Sequence, residues 1–548
     1  MPHAVPGSIL NSCNLLAYNS GCKSVFCLMR LYLASLRLVF DTTSIAMKKP
    51  QNRLRSICLA RGGEEDDSLV APADTDPAVR QQLRDAYQSS LLKWCPADAW
   101  PGNSRLAACP HPVLVTEHHQ RRLVELHEAL VLAVTDIVER WWSDTEARFP
   151  ERMPLEPREE ELLRWIDAQG PRTFRPFRDC SGSWRPDFLL ERESDSDDPD
   201  GIENFRICEI NARFCWNGYM HLAWGQQALL DLGVGRNGLG GATIPEKILE
   251  GLCRLFKPDL PLHLLKGEEH GLDIHMFASY AERRLGIRPR FITPSDLRLI
   301  PSPHATGGYK LCCLAPQSPE SSEEPPTFTN SAGEVLEEIH QVGLELHQRE
   351  LLALSREMLQ QISLRCFNDM RTVLLVHDKR MLGIVLQELE SLMERNILTP
   401  DQAQTLQRGI ATTILPGSVE LERFITACHT SESLRNDYIL KPVRSGKGAG
   451  ILFGDELSQT DWMSKLERLR CPRLAPGTTT YVVQRRVEQP LYDVLLRETD
   501  GPQRYIMIGT YHVVHGRFLG IGTWRSGPGR VCAVSHGCAW ICSVIERD

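Results

Sequence analysis

Four polar residues on two short apolar stretches point first to chemistry. In Trp184-Arg-Pro-Asp-Phe-Leu-Leu190, Arg185 and Asp187 stand two apart, and in Phe205-Arg-Ile-Cys-Glu-Ile-Asn-Ala-Arg213 so do Glu209 and Asn211. Side chains of a strand alternate faces, so each pair shares a face and pairing the stretches brings all four together. Asp187, Glu209 and Asn211 supply oxygen donors suited to Mg²⁺, with the Arg185 guanidinium beside them for a phosphate.

A second chemical stretch, Tyr438-Ile-Leu-Lys-Pro-Val-Arg-Ser-Gly-Lys-Gly-Ala-Gly-Ile-Leu-Phe453, is an apolar strand ending in Lys441 and running into a glycine-rich turn. Lys441 can set a point charge against a triphosphate, and Gly446, Gly448 and Gly450 let backbone N–H groups approach phosphate oxygens. The Walker A spacing is absent, and a strand at 451–453 rather than a helix follows, which excludes a dinucleotide fingerprint. A hairpin folding over phosphates remains, against the plainer alternative of a surface turn. Upstream, residues 372–376 read as a buried strand and the following stretch as a helix with Asp378 as N-cap. Lys379 and Arg380 in its first turn oppose the macrodipole, which suggests an anion nearby, against the plainer alternative of an exposed turn with tolerated charges.

Other groupings carry less. His118, His119 and His127 have no carboxylate or cysteine at ligand spacing and read as surface or helix-packing residues. Ser535, His536 and Cys538 are adjacent in a strand-rich region, where neighbouring side chains diverge, so no nucleophile–base pair is assigned. The acidic run 193–201 lacks EF-hand spacing and reads as a solvated hairpin tip.

The elements that must position these residues read as a mixed α/β chain. The 548 residues carry 62 Lys and Arg against 70 Asp and Glu, a balance of -8 that gives no reason to expect nucleic acid or an acidic membrane as partner. The 18 cysteines are scattered without a Cys-x-x-Cys, which favours reduced thiols over disulfides or zinc. Residues 1–62 are basic with one acid, Asp41. They read as an extension or an early start upstream of Met47, with a cytoplasmic protein expected and a mitochondrial transit peptide as the alternative. Four segments follow: an extension over 1–75; a helical part with the Arg-x-Asp and Glu-x-Asn strands over 76–244; a small α/β unit and linker over 245–330; and a nucleotide-binding part over 331–548. A long amphipathic helix is expected over 115–142, another long helical stretch with a break over 335–365, and strands over 480–487, 504–514 and 518–525.

Lysine, glycine loop, Arg-x-Asp and Glu-x-Asn together resemble the ATP-grasp ligases. Because the Glu and Asn precede the lysine, the order resembles the circularly permuted type of glutathionylspermidine synthase and eukaryotic glutathione synthetase. That resemblance implies an ATP-dependent carboxylate–amine ligase forming an amide through an acyl phosphate on a small amino acid or peptide, with ATP and Mg²⁺ as cofactors, small-molecule partners and a homodimer. Asp187, Glu209 and Asn211 would hold the metal, and Arg185 would steady the phosphoryl group. Lys379 and Lys441 would contact ATP, the lid would run through Ser445, Gly446, Lys447, Gly448 and Gly450, and Val483, Gln484 and Arg485 would line the adenine. Arg525, in Gly-Thr-Trp-Arg-Ser, would meet a substrate carboxylate. Such loops continue Lys-Pro-x-Arg-Glu-Gly; here Ser445 replaces the glutamate, which puts a second metal ion in doubt and leaves a catalytically silent relative as the alternative.

Overall fold

Large apolar side chains on alternating positions build the sheet that carries the polar strands. Trp184, Phe188, Leu190, Phe205 and Ile207 are buried, and Phe188 meets Phe205 and Trp524 edge to face at ring separations of 5.1 and 5.4 Å. The computed structural model describes residues 53–59, 69–192, 203–236, 238–316, 326–474 and 478–547. All lie in the compact unit Asn52–Asp548; the unit Met1–Gln51, the tip 193–201 and linker residues 317–325 fall outside the described residues.

The sheet runs Arg55–Ser56, Ala108–Val115, Ala539–Glu546, Trp524–Ser526, Met507–Val514, Ser183–Arg192, Glu203–Asn211. Only the contact between Ala108–Val115 and Ala539–Glu546 is parallel in this series. Its strands come from both ends of the chain, so the segments expected over 76–244 and 331–548 interleave. The fold also starts earlier than residue 76: Leu54, Ile57, Cys58 and Leu59 are buried and Arg55–Ser56 pairs with Val113 and Leu114. The expected long helix forms as Glu117–Glu139, with the Thr116 hydroxyl accepting the His119 N–H and Leu123, Leu126, Leu130, Ala133 and Ile137 buried along one face.

A second, four-stranded antiparallel sheet, ordered Thr413–Ile414, Tyr481–Arg485, Tyr438–Pro442, Leu452–Phe453, carries Lys441. Helices Val419–Thr430 and Gln459–Arg468 cover it through Phe424, Trp462 and Leu466. It joins the first sheet where Ala411 N–H donates to the Ile207 carbonyl at 2.9 Å.

Two expectations fail. Residues 335–365 are not a broken helix throughout: only the second half is helical. Val335–Glu338 is a strand on Tyr309–Leu314, Val342–Glu345 is a strand parallel to His263–Lys266, and helices Gln348–Ala353 and Arg356–Ser363 come only afterwards. The inserted α/β unit therefore extends to Glu345, past the expected boundary at 330. Thr372–Val376 is buried as expected but forms a π-helical turn rather than a strand. The following helix is Arg380–Gln387 with Lys379 at the N-cap, while the Asp378 carboxylate accepts the Arg380 N–H at 3.0 Å. A short apolar run does not distinguish buried strand from buried helix. Among the described residues no helix is long and apolar enough to cross a membrane.

Candidate active site

The two polar strands pair in the register that brings their charges together: Arg185 faces Asn211 and Asp187 faces Glu209. One rung further the pairing steps to Phe188 against Ile207, leaving Cys208 as a bulge without an opposite residue. Its carbonyl is thereby turned out of the ladder and receives the Lys441 Nζ at 3.1 Å and the Gln484 Nε2 at 3.3 Å. The bulge thus docks the lysine sheet onto the acidic strands.

Each acid is flanked by two cations. Arg185 Nε donates to Asp187 Oδ1 at 3.0 Å, and Arg525 Nη2 is bound to Asp187 Oδ2. Lys379 Nζ lies 3.3 Å and Lys441 Nζ 3.8 Å from Glu209 Oε2. Burial alone would raise the Glu209 carboxyl, but the Lys379, Lys441 and Arg525 charges overcome it and hold the group well below the usual carboxylate range. Burial would likewise lower Lys441 and Arg525; the neighbouring Cys208, Glu209 and Asp187 reverse that for Lys441, and Asp187 and Glu209 for Arg525, so both stay charged. The Asn211 Nδ2 and Arg525 Nε are buried without a hydrogen-bond partner.

Above this cluster the glycine stretch folds as expected, Tyr438–Pro442 returning antiparallel in Leu452–Phe453. The Ser445 carbonyl accepts from Lys379 Nζ at 2.6 Å. Gly448 and Gly450 have φ of +74° and +75°, and a Cβ on Gly448 would run into Val531. Gly446 has open space around it, so its lack of a side chain relieves no contact. Lys447 points away from the acids: its exposed Nζ binds Glu269 of the inserted unit at 3.0 Å. In the central strand Tyr481–Arg485, Val483 is buried, Gln484 also donates to Thr413 Oγ1 at 3.0 Å, and Arg485 is exposed.

Sequence reasoning passed over the groups beneath the loop. Arg444 bridges Asp378 at 3.1 Å and Glu159 at 2.7 Å, and Arg380 closes on Asp378 at 2.8 Å. Burial would raise Asp378, and Arg380 and Arg444 hold it low; burial pushes Glu159 up in spite of Arg444. Arg213, two residues beyond Asn211, also lies here. Its place in the same alternation was the available signal.

The lesser groupings behave as packing residues. His127 Nε2 donates to the Gly516 carbonyl at 2.9 Å, and His119 meets Glu203 at 3.2 Å beneath the helix start. His263, Cys313 and Glu337 do come together, buried, as a possible metal triad. However, Arg290 is already paired with Glu337 there, which gives that carboxylate a partner of its own.

Comparison with known proteins adds a family. A model described as the AnkG N-terminal domain matches residues 126–375. The ATP-grasp enzyme ankG of Aspergillus thermomutatus is 37% identical over 480 residues, covering 87% of this chain and 97% of that protein. The apo structure of a glutathione synthetase-like effector from Globodera pallida aligns over 87% of this chain and 99% of its own, with a TM-score of 0.48 at 12% identity.

Proposed function

We propose, from the premise that this chain belongs to the ATP-grasp enzymes of the ankG family, that its site joins a small carboxylic acid to an amine with consumption of ATP. The observation that carries this reading is the facing pair Asp187 and Glu209, each neutralised by two cations, at the seam where the glycine hairpin meets the acidic strands. The permuted order, with the acidic strands preceding the lysine sheet, is part of the same reading.

The residues fit a magnesium ion. Asp187 and Glu209 face each other on one rung and Asn211 lies two rungs along on the same face; each has a side-chain oxygen to offer, and the Asn211 amide nitrogen has no partner that would commit the group elsewhere. When bound, Mg²⁺ would neutralise charge that develops as the γ-phosphoryl group moves. In its absence Lys379 and Lys441 screen Glu209; with nucleotide present they turn toward phosphate oxygens. Arg185 orients the phosphoryl group, Arg525 the acid, and residues 445–450 close over both, with Val483 to Arg485 on the adenine side.

A carboxylate oxygen attacks the γ-phosphorus, and the bond to the β-phosphate oxygen breaks to release ADP. The amine lone pair then attacks the acyl carbonyl. Phosphate leaves, the nitrogen gives up a proton, and the products are amide, ADP and phosphate. Oriented cations around the transferring group are the main protein contribution to such a reaction. Ser445 leaves the second-metal position without a carboxylate. The silent alternative rested on that residue alone, and a relative spanning nearly the whole chain is named an enzyme.

The test is the thermal midpoint with and without saturating Mg·ATP, and with ATP plus chelator. Ligand at about 100 times its Kd adds ~2.7 kcal/mol. A shift that requires magnesium is expected; no shift in well-folded protein would end this reading.

A further inference from the structure

Arg213 is the cation at this site that has been left without an acid. Arg185 and Arg525 pair with Asp187, Lys379 and Lys441 with Glu209, Arg380 and Arg444 with Asp378, and Lys447 with Glu269. Arg213 Nη2 donates only to the main-chain carbonyl of Arg444, at 3.3 Å, and its Nε is shut off from solvent with no partner. Among the described residues no carboxylate reaches ion-pair distance of it. Arg213 is half-buried, and the acids that reach it through space, Glu159 and Asp378, are already paired with Arg444; a partly desolvated guanidinium with no ion pair of its own in a reaction site is explained most simply by a ligand that supplies one.

Its position is specific. Arg213 holds the Arg444 carbonyl and Lys379 the next one along, that of Ser445 at 2.6 Å, so the two cations grip successive residues at the base of the glycine hairpin. His377, whose Nδ1 lies 3.3 Å from the Ala212 nitrogen, is kept neutral by burial and by both the Arg213 and Lys379 charges, which places Arg213 and Lys379 on the same small volume. Lys379 and Lys441 approach from the Glu209 side, where the nucleotide phosphates are assigned, whereas Arg213 stands beyond Asn211 at the end of that strand.

We propose that Arg213 binds an oxyanion carried by the donor acid in addition to its reacting carboxyl, so that the preferred acid is a di- or tricarboxylate. This rests on the ligase reading. An acid without the second oxyanion leaves Arg213 without an ion pair and is discriminated against, because its binding covers the half-buried guanidinium and gives it no partner in return.

The experiment uses the full chain, Mg·ATP and hydroxylamine in place of the amine, which captures an acyl phosphate as hydroxamate with release of phosphate. The acids are matched pairs: succinate and succinamate, glutarate and glutaramate, aspartate and asparagine, with citrate added. Wild type should favour the anion-bearing member by about tenfold or more, the scale of losing one partner of a desolvated charge pair. R213Q should bring that ratio close to one while leaving the Mg·ATP midpoint shift unchanged. R213K, a point charge without the fork, should fall between. If R213Q loses the nucleotide shift, the oxyanion comes from ATP and the proposal fails. It fails equally if wild type shows no preference within the pairs, or binds Mg·ATP but forms no hydroxamate from any of them. Should R213Q not fold, R213K and the wild-type ratios decide. Loss of the Mg·ATP shift in wild type itself would instead overturn the ligase reading.

Discussion

Glu209 illustrates how a single residue can serve two states of the site. Without a metal its charge is balanced by Lys379 and Lys441, and with one it becomes a ligand. Glu209→Gln keeps the shape and removes the charge, so it should abolish the magnesium-dependent part of the ATP midpoint shift. It should also lower stability by about 1–3 kcal/mol, because two ammonium groups lose their acid. An unchanged magnesium requirement would remove Glu209 from the metal set. The pH dependence has a definite sign. The folded carboxyl titrates below its ordinary value of 4.5, so the stability it contributes is present above that pH and lost as pH falls below it. At this scale the sequence was informative: two-residue spacing put Arg185, Asp187, Glu209 and Asn211 on shared faces. What it could not convey was the Cys208 bulge, since the feature that docks Lys441 is a main-chain carbonyl and any residue has one.

Elements succeeded or failed by how distinctive their periodicity was. The hairpin around Lys441 and the Glu117–Glu139 helix were legible because a glycine-rich turn and a sustained apolar stripe each have one structural meaning. Residues 335–365 misled because Val335, Ile339, Val342 and Leu346 recur at three- and four-residue steps. In the structure Val335 and Val342 lie on two strands that enter different sheets. Val335–Glu338 does form a hairpin with the nearby Thr327–Thr329, but its other partner, Tyr309–Leu314, and the partner of Val342–Glu345, His263–Lys266, are distant in sequence, where local pattern has no access to the pairing. The lid has its own testable property. Gly448→Ala places a Cβ against Val531 at a positive φ, costing roughly 1–2 kcal/mol locally. Because the turn 445–450 is largely exposed and can relax much of that strain locally, the ligand-free midpoint should move little while the Mg·ATP shift shrinks. A large fall in the ligand-free midpoint would show that the loop is a structural element rather than a cover.

Across the whole molecule, interleaving is the property that sequence order concealed. Residues 53–59 and 539–546 flank the strand Ala108–Val115, so the sheet closes only when distant parts of the chain meet. A chain beginning at residue 76 should therefore be several kcal/mol less stable than one beginning at Met47, since burial of Leu54 and Ile57 alone contributes about 1.5–3 kcal/mol each. Equal urea midpoints would refute that. The same burial sets an acid limit on the fold. Burial, reinforced by nearby arginines, pushes His111 and His263 down to about 4 and His512 to about 3; burial with Lys247 takes His127 to about 4. In the unfolded chain each binds a proton near pH 6.5. Between roughly pH 6.5 and 4 the unfolded state thus holds more protons, and stability falls as pH falls, by up to ~1.4 kcal/mol per pH unit for each histidine. Urea midpoints measured from pH 7 to pH 5 should descend accordingly. His127→Asn preserves a donor for the Gly516 carbonyl but has nothing to protonate, so it should flatten that descent by one proton's worth. An unaltered slope would mean that His127 charges as readily in the folded protein as in the unfolded one, and that the interior around Trp184 and Tyr511 admits water.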